Sequence, residues 1–402
     1  MPRKRRGRRA PEGKDSDSFD EDSLLRLLPD IDGVESISSE SDLQQLWAGY
    51  GSVRAFTAVV HRRDSSSPGS EEESVNLIVK RVRPPPDDGT SVSHARKIRS
   101  YEIEANFYSK YAPRVRSSSG AECALPSAYH VESSSSSSSS DPSPSFTFLL
   151  SDLRSDFPVP DPYRMDGKRT EAALRWLAAF HAVFWEDDEG AALGDDDEPS
   201  SSLWECGGYW HLDTRREELE RVSNREWGRL KAGASVIDGR MRRSAEFRTV
   251  CHGDFKSANL LFRSDGSECA AVDYQYVGGG FGMKDVVMLL VSSVDSGTMC
   301  HGKRERVLEL LRYYREALAE NLRSIGRVPA DRVAAYSFDA AVQHYELCLM
   351  DYVRFMAGWG FWGENCRYAQ DECRRIIEDM EEGGADLRTE QGWIDALQKR
   401  YP

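Results

Sequence analysis

His252-Gly253-Asp254-Phe255-Lys256-Ser257-Ala258-Asn259, followed by Val272-Asp273-Tyr274-Gln275, is the stretch that decides the fold of this chain. It sets an Asp and an Asn five residues apart on one loop, with a second Asp nineteen residues after the first. Moving a phosphoryl group from a nucleotide needs such a set. One carboxylate orients the attacking hydroxyl, while an amide and another carboxylate hold the metal ions that neutralise the phosphates. Asp254 is the candidate catalytic base, and Asn259 and Asp273 are the candidate Mg²⁺ ligands, since Mg²⁺ takes hard oxygen donors. The apolar run Ala270-Ala271-Val272 reads as a strand that delivers Asp273. The competing structure is an Asx-turn loop whose side chains bond only backbone. The joint spacing favours the catalytic set. Lys256 would neutralise charge on the transferring group, or else face solvent. His252 braces the loop by hydrogen bonding.

Working outward, Lys80 ends the apolar run Val75-Asn76-Leu77-Ile78-Val79. A lysine on such a strand is costly to bury unless its ammonium meets anions. Nucleotide phosphates and a helix glutamate would supply them; Glu104 is the first candidate partner and Glu102 the second. An edge-strand lysine is the alternative. Gly49 and Gly51 form a candidate phosphate-covering loop, because glycine lets backbone approach phosphate oxygens. An ordinary turn is the alternative. Gly278-Gly279-Gly280-Phe281-Gly282 reads as a flexible segment lining the cleft. Asp285 sits at a helix start, as a cap or as a brace for the catalytic loop.

The rest of the chain divides into three. Residues 1–40 open on a basic run from Arg3 to Arg9, turn acidic and Ser-rich, and read as a disordered tail. Order is expected to begin near Leu43. Residues 41–152 form a small nucleotide-binding lobe, with strands at 52–62, 75–83, 124–131 and 145–151 and a helix at 93–111. Disordered loops are expected near 64–74 and 132–144, the second around the serine run Ser133–Ser140. Residues 153–402 form a large helical lobe holding the catalytic loop, 250–259, and the metal motif, 273–275. Its helices are expected at about 168–185, 213–232, 284–294, 303–325, 330–357, 366–381 and 389–399. The acidic runs 186–189 and 195–198 read as a solvated insertion. The fold class is α+β, with a cleft between lobes.

Composition excludes several roles. The 402 residues carry a formal net charge of −14, which argues against nucleic acid as partner of the folded body. No apolar run reaches the roughly 18–20 residues that span a bilayer. The cysteines form no Cys-x-x-Cys pair, so neither a zinc site nor a disulfide framework is indicated. A reduced, cytoplasmic compartment is the default. The basic tail could engage an import receptor, giving a nuclear location, or an anionic surface.

The chain resembles the aminoglycoside phosphotransferase and choline-kinase-like group, especially its ecdysteroid-kinase-like (CHK) branch. The matching pieces are His252-Gly253-Asp254 with Asn259, Asp273-Tyr274-Gln275 followed by Asp285, and Leu177-Ala178-Ala179-Phe180-His181-Ala182. Glu104 with Phe107-Tyr108, and the hinge-like Leu150-Ser151-Asp152-Leu153, add to it. The resemblance implies a protein-kinase-like bilobal fold, ATP with Mg²⁺, and transfer to a hydroxyl of a small molecule. It also implies Lys80 on the α- and β-phosphates and Asp152 at the nucleotide hinge. Gly253 stands where protein kinases carry Arg, and Tyr274-Gln275 replaces their Phe-Gly, which lowers the expectation of a protein substrate. An amino alcohol, a sterol-like alcohol, an aminoglycoside or a sugar would each suit. Tyr345, Glu346, Asp351, Tyr352, Trp359, Phe361, Trp362 and Glu364 read either as an aromatic and acidic acceptor pocket or as helical core. A non-catalytic nucleotide-binding scaffold is the alternative function, and a protein kinase a lesser one.

Overall fold

The structure, a computed structural model, describes residues 19–38, 41–46, 49–62, 71–85, 92–119, 123–134, 144–160, 163–187, 202–243 and 246–401. The basic run Arg3–Arg9, the acidic run 195–198 and most of the serine run lie outside these residues.

Order begins before Leu43. Helix α1 (Glu21–Leu27) is capped by Asp20, whose carboxylate accepts from the Ser23 N–H, and strand β1 (Ile31–Ile37) follows. The reason is apolar content hidden in a polar stretch. Leu24, Leu28 and Ile31 pack on Phe56, Ala58, Val60, Leu77, Val79 and Leu149, one face of the sheet. The expectation of a disordered 1–40 is therefore corrected for residues 19–37.

Strands β2 (Ser41–Gln45), β3 (Gly51–Arg62), β4 (Glu71–Val82), β5 (Ala128–Ser134) and β6 (Ser145–Ser151) complete an antiparallel sheet. Its order is β1-β3-β4-β6-β5, with β2 also on β3. Alternation sends Leu77 and Val79 to the α1 face and Ile78, Lys80 and Val82 to the other. That second face receives helix α2 (Val92–Asn106), a π-turn at Phe107–Tyr111 and helix α3 (Ala112–Ser119). The single helix expected at 93–111 is thus broken by a π-turn. It places Phe107 flat against Tyr274, ring centroids 4.1 Å apart.

A 3₁₀ turn at Leu153–Ser155 and the two-residue strand β7 (Val159–Pro160) lead into the second lobe. Helix α4 (Gly167–Val183) is capped by Asp166 and buried along most of its length. Helices α5 (Arg216–Arg221) and α6 (Asn224–Arg243) replace the one helix expected over 213–232. Ser223 lies between them, its hydroxyl accepting from the Glu226 N–H. Three-residue strands β8 (Thr249–Cys251), β9 (Leu260–Phe262), β10 (Cys269–Ala271) and β11 (Gly278–Gly280) form small ribbons, β10-β9-β7 and β11-β8. The glycine cluster is therefore no flexible cleft lining. Gly278–Gly280 pair with β8 in the interior, and a Cβ on Gly278 would stand 2.3 Å from the Trp204 carbonyl oxygen.

Helix α7 (Met283–Ser292) runs through the lobe centre, every residue from Met283 to Val291 buried. Helices α8 (Arg304–Ile325), α9 (Ala330–Ala335), α10 (Phe338–Trp359), α11 (Cys366–Glu382) and α12 (Glu390–Arg400) surround it. The helix expected over 330–357 is split where the Ser337 hydroxyl caps α10 by accepting from the Ala340 N–H. Glu186 and Asp187 are anchored, not merely solvated: Glu186 pairs with Arg332 and Asp187 with Arg114. The result is an α+β bilobal architecture of kinase type, a β-rich lobe over a helical one. No helix among the described residues is long and apolar enough to cross a membrane.

Candidate active site

Lys80 sits on a central strand, since β4 lies between β3 and β6, so the edge-strand alternative falls. Its ammonium donates to both carboxylate oxygens of Glu104, at 2.9 and 2.7 Å, and stands 3.7 Å from Asp273 Oδ1. Burial pulls the Lys80 pKa down, but Glu104 and Asp273 outweigh it and raise it above the ordinary lysine value. The charge therefore persists in the interior. Glu102 pairs with Arg99 instead, one turn nearer solvent.

The loop 252–259, the candidate catalytic loop, follows β8. Gly253 holds φ +83, and a Cβ there would lie 2.0 Å from the Tyr276 carbonyl oxygen, so no side chain fits where protein kinases carry Arg. Asp285, fully buried at the start of α7, accepts from the His252 N–H at 2.6 Å and the Gly253 N–H at 2.9 Å. His181 Nε2 stands 3.1 Å from the same carboxylate. Asp285 is thus a brace for the loop, and it makes no side-chain cap on its own helix. His252 spans the interior by hydrogen bonds to the Val272 carbonyl and the Asp254 N–H.

Asp254 is 6% exposed. Its carboxylate receives Lys256 Nζ at 3.0 and 2.9 Å and Asn259 Nδ2 at 3.1 Å. Burial pushes its pKa up to about 6 against the pull of Lys256, a value suited to a base that must both take and release a proton near neutrality. Asn259 points its Nδ2 at Asp254, which leaves its amide oxygen as the ligand atom for a cation. Asp273 stands two residues beyond β10 with φ +69, a left-handed conformation that Asp tolerates better than most residues. Its Oδ1 is buried without a hydrogen-bond donor. A carboxylate and a carboxamide that line one cleft are hard oxygen donors, and this set fits Mg²⁺. Tyr274, packed between Phe107 and His252, locks the motif to the N-lobe helix.

Of the remaining candidates, Asp152 lies in the cleft as expected and Gly49 and Gly51 do not. Asp152 lines the cleft at the hinge, but its carboxylate is taken by the Arg154 N–H and guanidinium. Gly49 and Gly51 do not line the cleft; Leu43, Gln44, Leu46 and Val53 do. The Gly49-Tyr50-Gly51 turn instead seats Tyr50 on α2, its hydroxyl 2.6 Å from His94. Gly51 is required because a Cβ would stand 1.9 Å from the Arg81 carbonyl oxygen.

Two cavities meet at this point. A cleft of ≈ 540 Å³ runs between the lobes and holds Lys80, Glu104, Asn259 and Asp273 with apolar walls from Ile78, Leu150 and Leu261. A second cavity of ≈ 1310 Å³ lies on the far side of Lys256 and Gln275, which line both. Trp359, Trp362 and Glu364 line this second cavity, whereas Tyr345, Glu346, Asp351 and Tyr352 are buried core. Tyr209, Tyr276 and Arg215, absent from the sequence-based candidates, also form its wall. They stand on short loop and turn segments without periodic pattern. A separate buried cluster, Cys206, His211 and Asp238, brings three ligand atoms within 4.8 Å of one another. Lys284 Nζ at 3.3 Å from Cys206 Sγ and Arg242 Nε at 2.8 Å from Asp238 already supply its positive charge, so it is a salt-bridged core and not a metal centre.

Residues 208–327 match the model of the ecdysteroid kinase-like family. That segment contains Asp254, Asn259, Asp273 and Asp285, and the resemblance stated from the sequence holds there. No curated protein matches the chain. Among solved structures, a microcompartment-associated aminopropanol kinase is similar at 15% identity, TM-score 0.44, covering 85% of this chain and 93% of that one. The choline kinase of Cryptosporidium parvum Iowa II is similar at 11% identity, TM-score 0.42, covering 90% and 94%. An amicoumacin kinase solved with AMP-PNP and Ca²⁺ is similar at 12% identity, TM-score 0.42, also covering 90% and 94%.

Proposed function

From a catalytic segment that matches the ecdysteroid kinase-like family, we infer that the protein is a phosphotransferase moving the γ-phosphoryl group of ATP to a hydroxyl of a small molecule. Lys80, fixed by Glu104, would hold the α- and β-phosphates. Asn259 and Asp273 would hold Mg²⁺, which when bound neutralises charge on the phosphates. Asp254 accepts a hydrogen bond from the acceptor hydroxyl, aligns it and takes its proton. Lys256, already on Asp254, is placed to compensate charge on the group in transit. The adenine would lie against the apolar walls of the cleft beside the hinge at Ser151–Leu153. An uncharged sterol-like alcohol or sugar and a cationic amino alcohol or aminoglycoside are the acceptor classes in view.

One observation carries this reading. The nucleotide-side cleft and the larger cavity meet at Lys256, and Lys256 holds the carboxylate of Asp254. A non-catalytic scaffold has no need of an Asp273 Oδ1 that is buried without a hydrogen-bond donor and meets only the Lys80 ammonium at 3.7 Å. We place the lobe boundary at residue 152. All eight thiols are free, which suits a reducing compartment such as the cytoplasm.

The test is ADP release by the purified protein with ATP, Mg²⁺ and a panel of sugars, sterols and amino alcohols. Asp254→Ala is expected to lower turnover about 10³-fold while nucleotide affinity stays within twofold. Turnover equal to wild type would remove Asp254 from the role of base.

A further inference from the structure

Tyr209 and Trp359 at the edge of the acceptor cavity, with Phe355 buried behind them against both, form an aromatic box. Such boxes hold quaternary ammonium and amine ligands through the negative faces of their rings. This box is filled from within. The Arg215 guanidinium carbon lies 5.4 Å from the Tyr209 ring centroid, 5.7 Å from that of Phe355 and 5.1 Å from that of Trp359. Arg215 is 5% exposed, its Nε donates to the Tyr209 carbonyl oxygen at 2.6 Å, and its Nη1 lies 3.6 Å from Glu218.

We propose that Arg215 is a specificity-determining residue: its guanidinium occupies the aromatic box, so the cavity rejects alcohols that carry a permanent positive charge and takes uncharged ones. The proposal rests on the phosphotransferase reading and narrows its acceptor. Two further features support it. Lys256 Nζ stands 5.8 Å from the Tyr209 ring centroid, so that ring already serves two internal cations. The carboxylates on the cavity wall are each paired: Asp213 with Arg216, Glu217 with Arg221, Glu218 with Arg215, Glu364 with Arg164. An incoming ammonium would meet like charge at the rings, and the buried carboxylate of the wall, Glu218, already faces Arg215. A guanidinium with fixed planar partners is also harder to displace than a flexible lysine would be.

The probes are choline and 3,3-dimethylbutan-1-ol, which differ by exchange of the cationic nitrogen for carbon. Binding is measured by calorimetry or ligand-observed NMR, first on the intact protein without nucleotide. The neutral alcohol is expected to bind at least tenfold more tightly than choline. A wild type that binds the neutral alcohol no better than choline overturns the proposal. In Arg215→Leu the box is vacated and Glu218 freed, so choline affinity is expected to rise at least tenfold. A folded Arg215→Leu, judged by circular dichroism, with unchanged choline affinity also overturns it. Should that variant not fold, the wild-type comparison decides alone. Binding without nucleotide separates this outcome from the parent reading: a chain that prefers the neutral alcohol yet releases no ADP with any acceptor keeps the specificity claim and loses the phosphotransferase.

Discussion

The cleft between the lobes and the larger cavity, read as nucleotide and acceptor sites, share a wall at Lys256 and Gln275, yet they are built by opposite means. In the cleft the charges are buried and tied across the fold. Lys80 and Glu104 join a strand to a helix at 7% and 1% exposure, and Asp285 fixes the catalytic loop from the lobe centre. In the cavity several charges are local and wet: Arg216–Asp213 and Arg221–Glu217 lie within four residues of each other, with every side chain at least 44% exposed. Buried pairs fix geometry strictly, because breaking one leaves an uncompensated charge. Exposed pairs are worth little and can be exchanged. The cleft between the lobes is thus held rigid, while much of the wall of the larger cavity is open to change. Arg215 and its partner Glu218 are exceptions on that wall, buried like cleft residues.

Substitutions on each side should separate the two. Asp285→Ala strands the His252 and Gly253 N–H groups in a dry interior, so a loss of about 3–5 kcal/mol in urea unfolding is expected. A loss under 1 kcal/mol would mean that the loop is held by something other than this brace. Asp273→Ala removes the bare carboxylate oxygen and should weaken nucleotide binding about 100-fold in Mg²⁺ while leaving binding in EDTA unchanged. Isothermal titration in the two buffers checks it, and equal losses in both would make Asp273 a structural residue. On the acceptor side, Trp362→Ala should raise the acceptor KM about tenfold with nucleotide affinity intact. An equal change in nucleotide affinity would erase the distinction between the two regions.

The same contrast explains what was legible in the amino-acid sequence. Asp254, Asn259 and Asp273 could be proposed as a set because they lie at short, fixed spacings, and their proximity was legible: Asn259 bonds Asp254 and lines one cleft with Asp273. Lys80 and Glu104 followed, because a cation on a buried strand demands a partner. The acceptor wall was not legible in the same way. Tyr209 and Arg215 come from turns before α5, Trp359 and Trp362 from the end of α10, and only tertiary packing brings them together. Tyr345, Glu346, Asp351 and Tyr352 share the composition of a pocket but face the core, where Glu346 meets Arg304, Arg375 and Arg400. Tyr352 and Trp359, seven residues apart, share one face of α10; position along the helix, not composition, separates them, since Trp359 is its last residue and 52% exposed. The glycines of 278–280 misled for a related reason: their smallness serves close packing of β11 against Trp204 and Gly207, which no local pattern announces. Order in 21–37 was hidden because a few leucines in a polar stretch suffice once a sheet face is there to receive them.

The smallest effect concerns α10, which reaches from the core to the acceptor wall. His344 on that helix stacks on Phe281, ring centroids 3.7 Å apart at 15°, and its Nδ1 is buried without a hydrogen-bond partner. Burial, with Arg240 adding to it, pushes its pKa down to about 3. In the unfolded chain the imidazole titrates near its ordinary value of about 6.5. Below that pH the unfolded state binds a proton that the folded state refuses, so stability falls as pH drops. Between pH 7.5 and pH 6 the loss from this residue should be roughly 0.8 kcal/mol, from a depressed histidine of this kind. His344→Phe keeps the stack on Phe281 and removes the proton, so the variant should show a shallower fall in urea-measured stability over the same interval. Carboxylates that titrate in this range contribute equally to both proteins and cancel in the difference. A variant whose pH slope matches wild type would mean that His344 is already charged in the folded core, and that α10 is less tightly packed behind the acceptor wall than the cleft is behind Lys80.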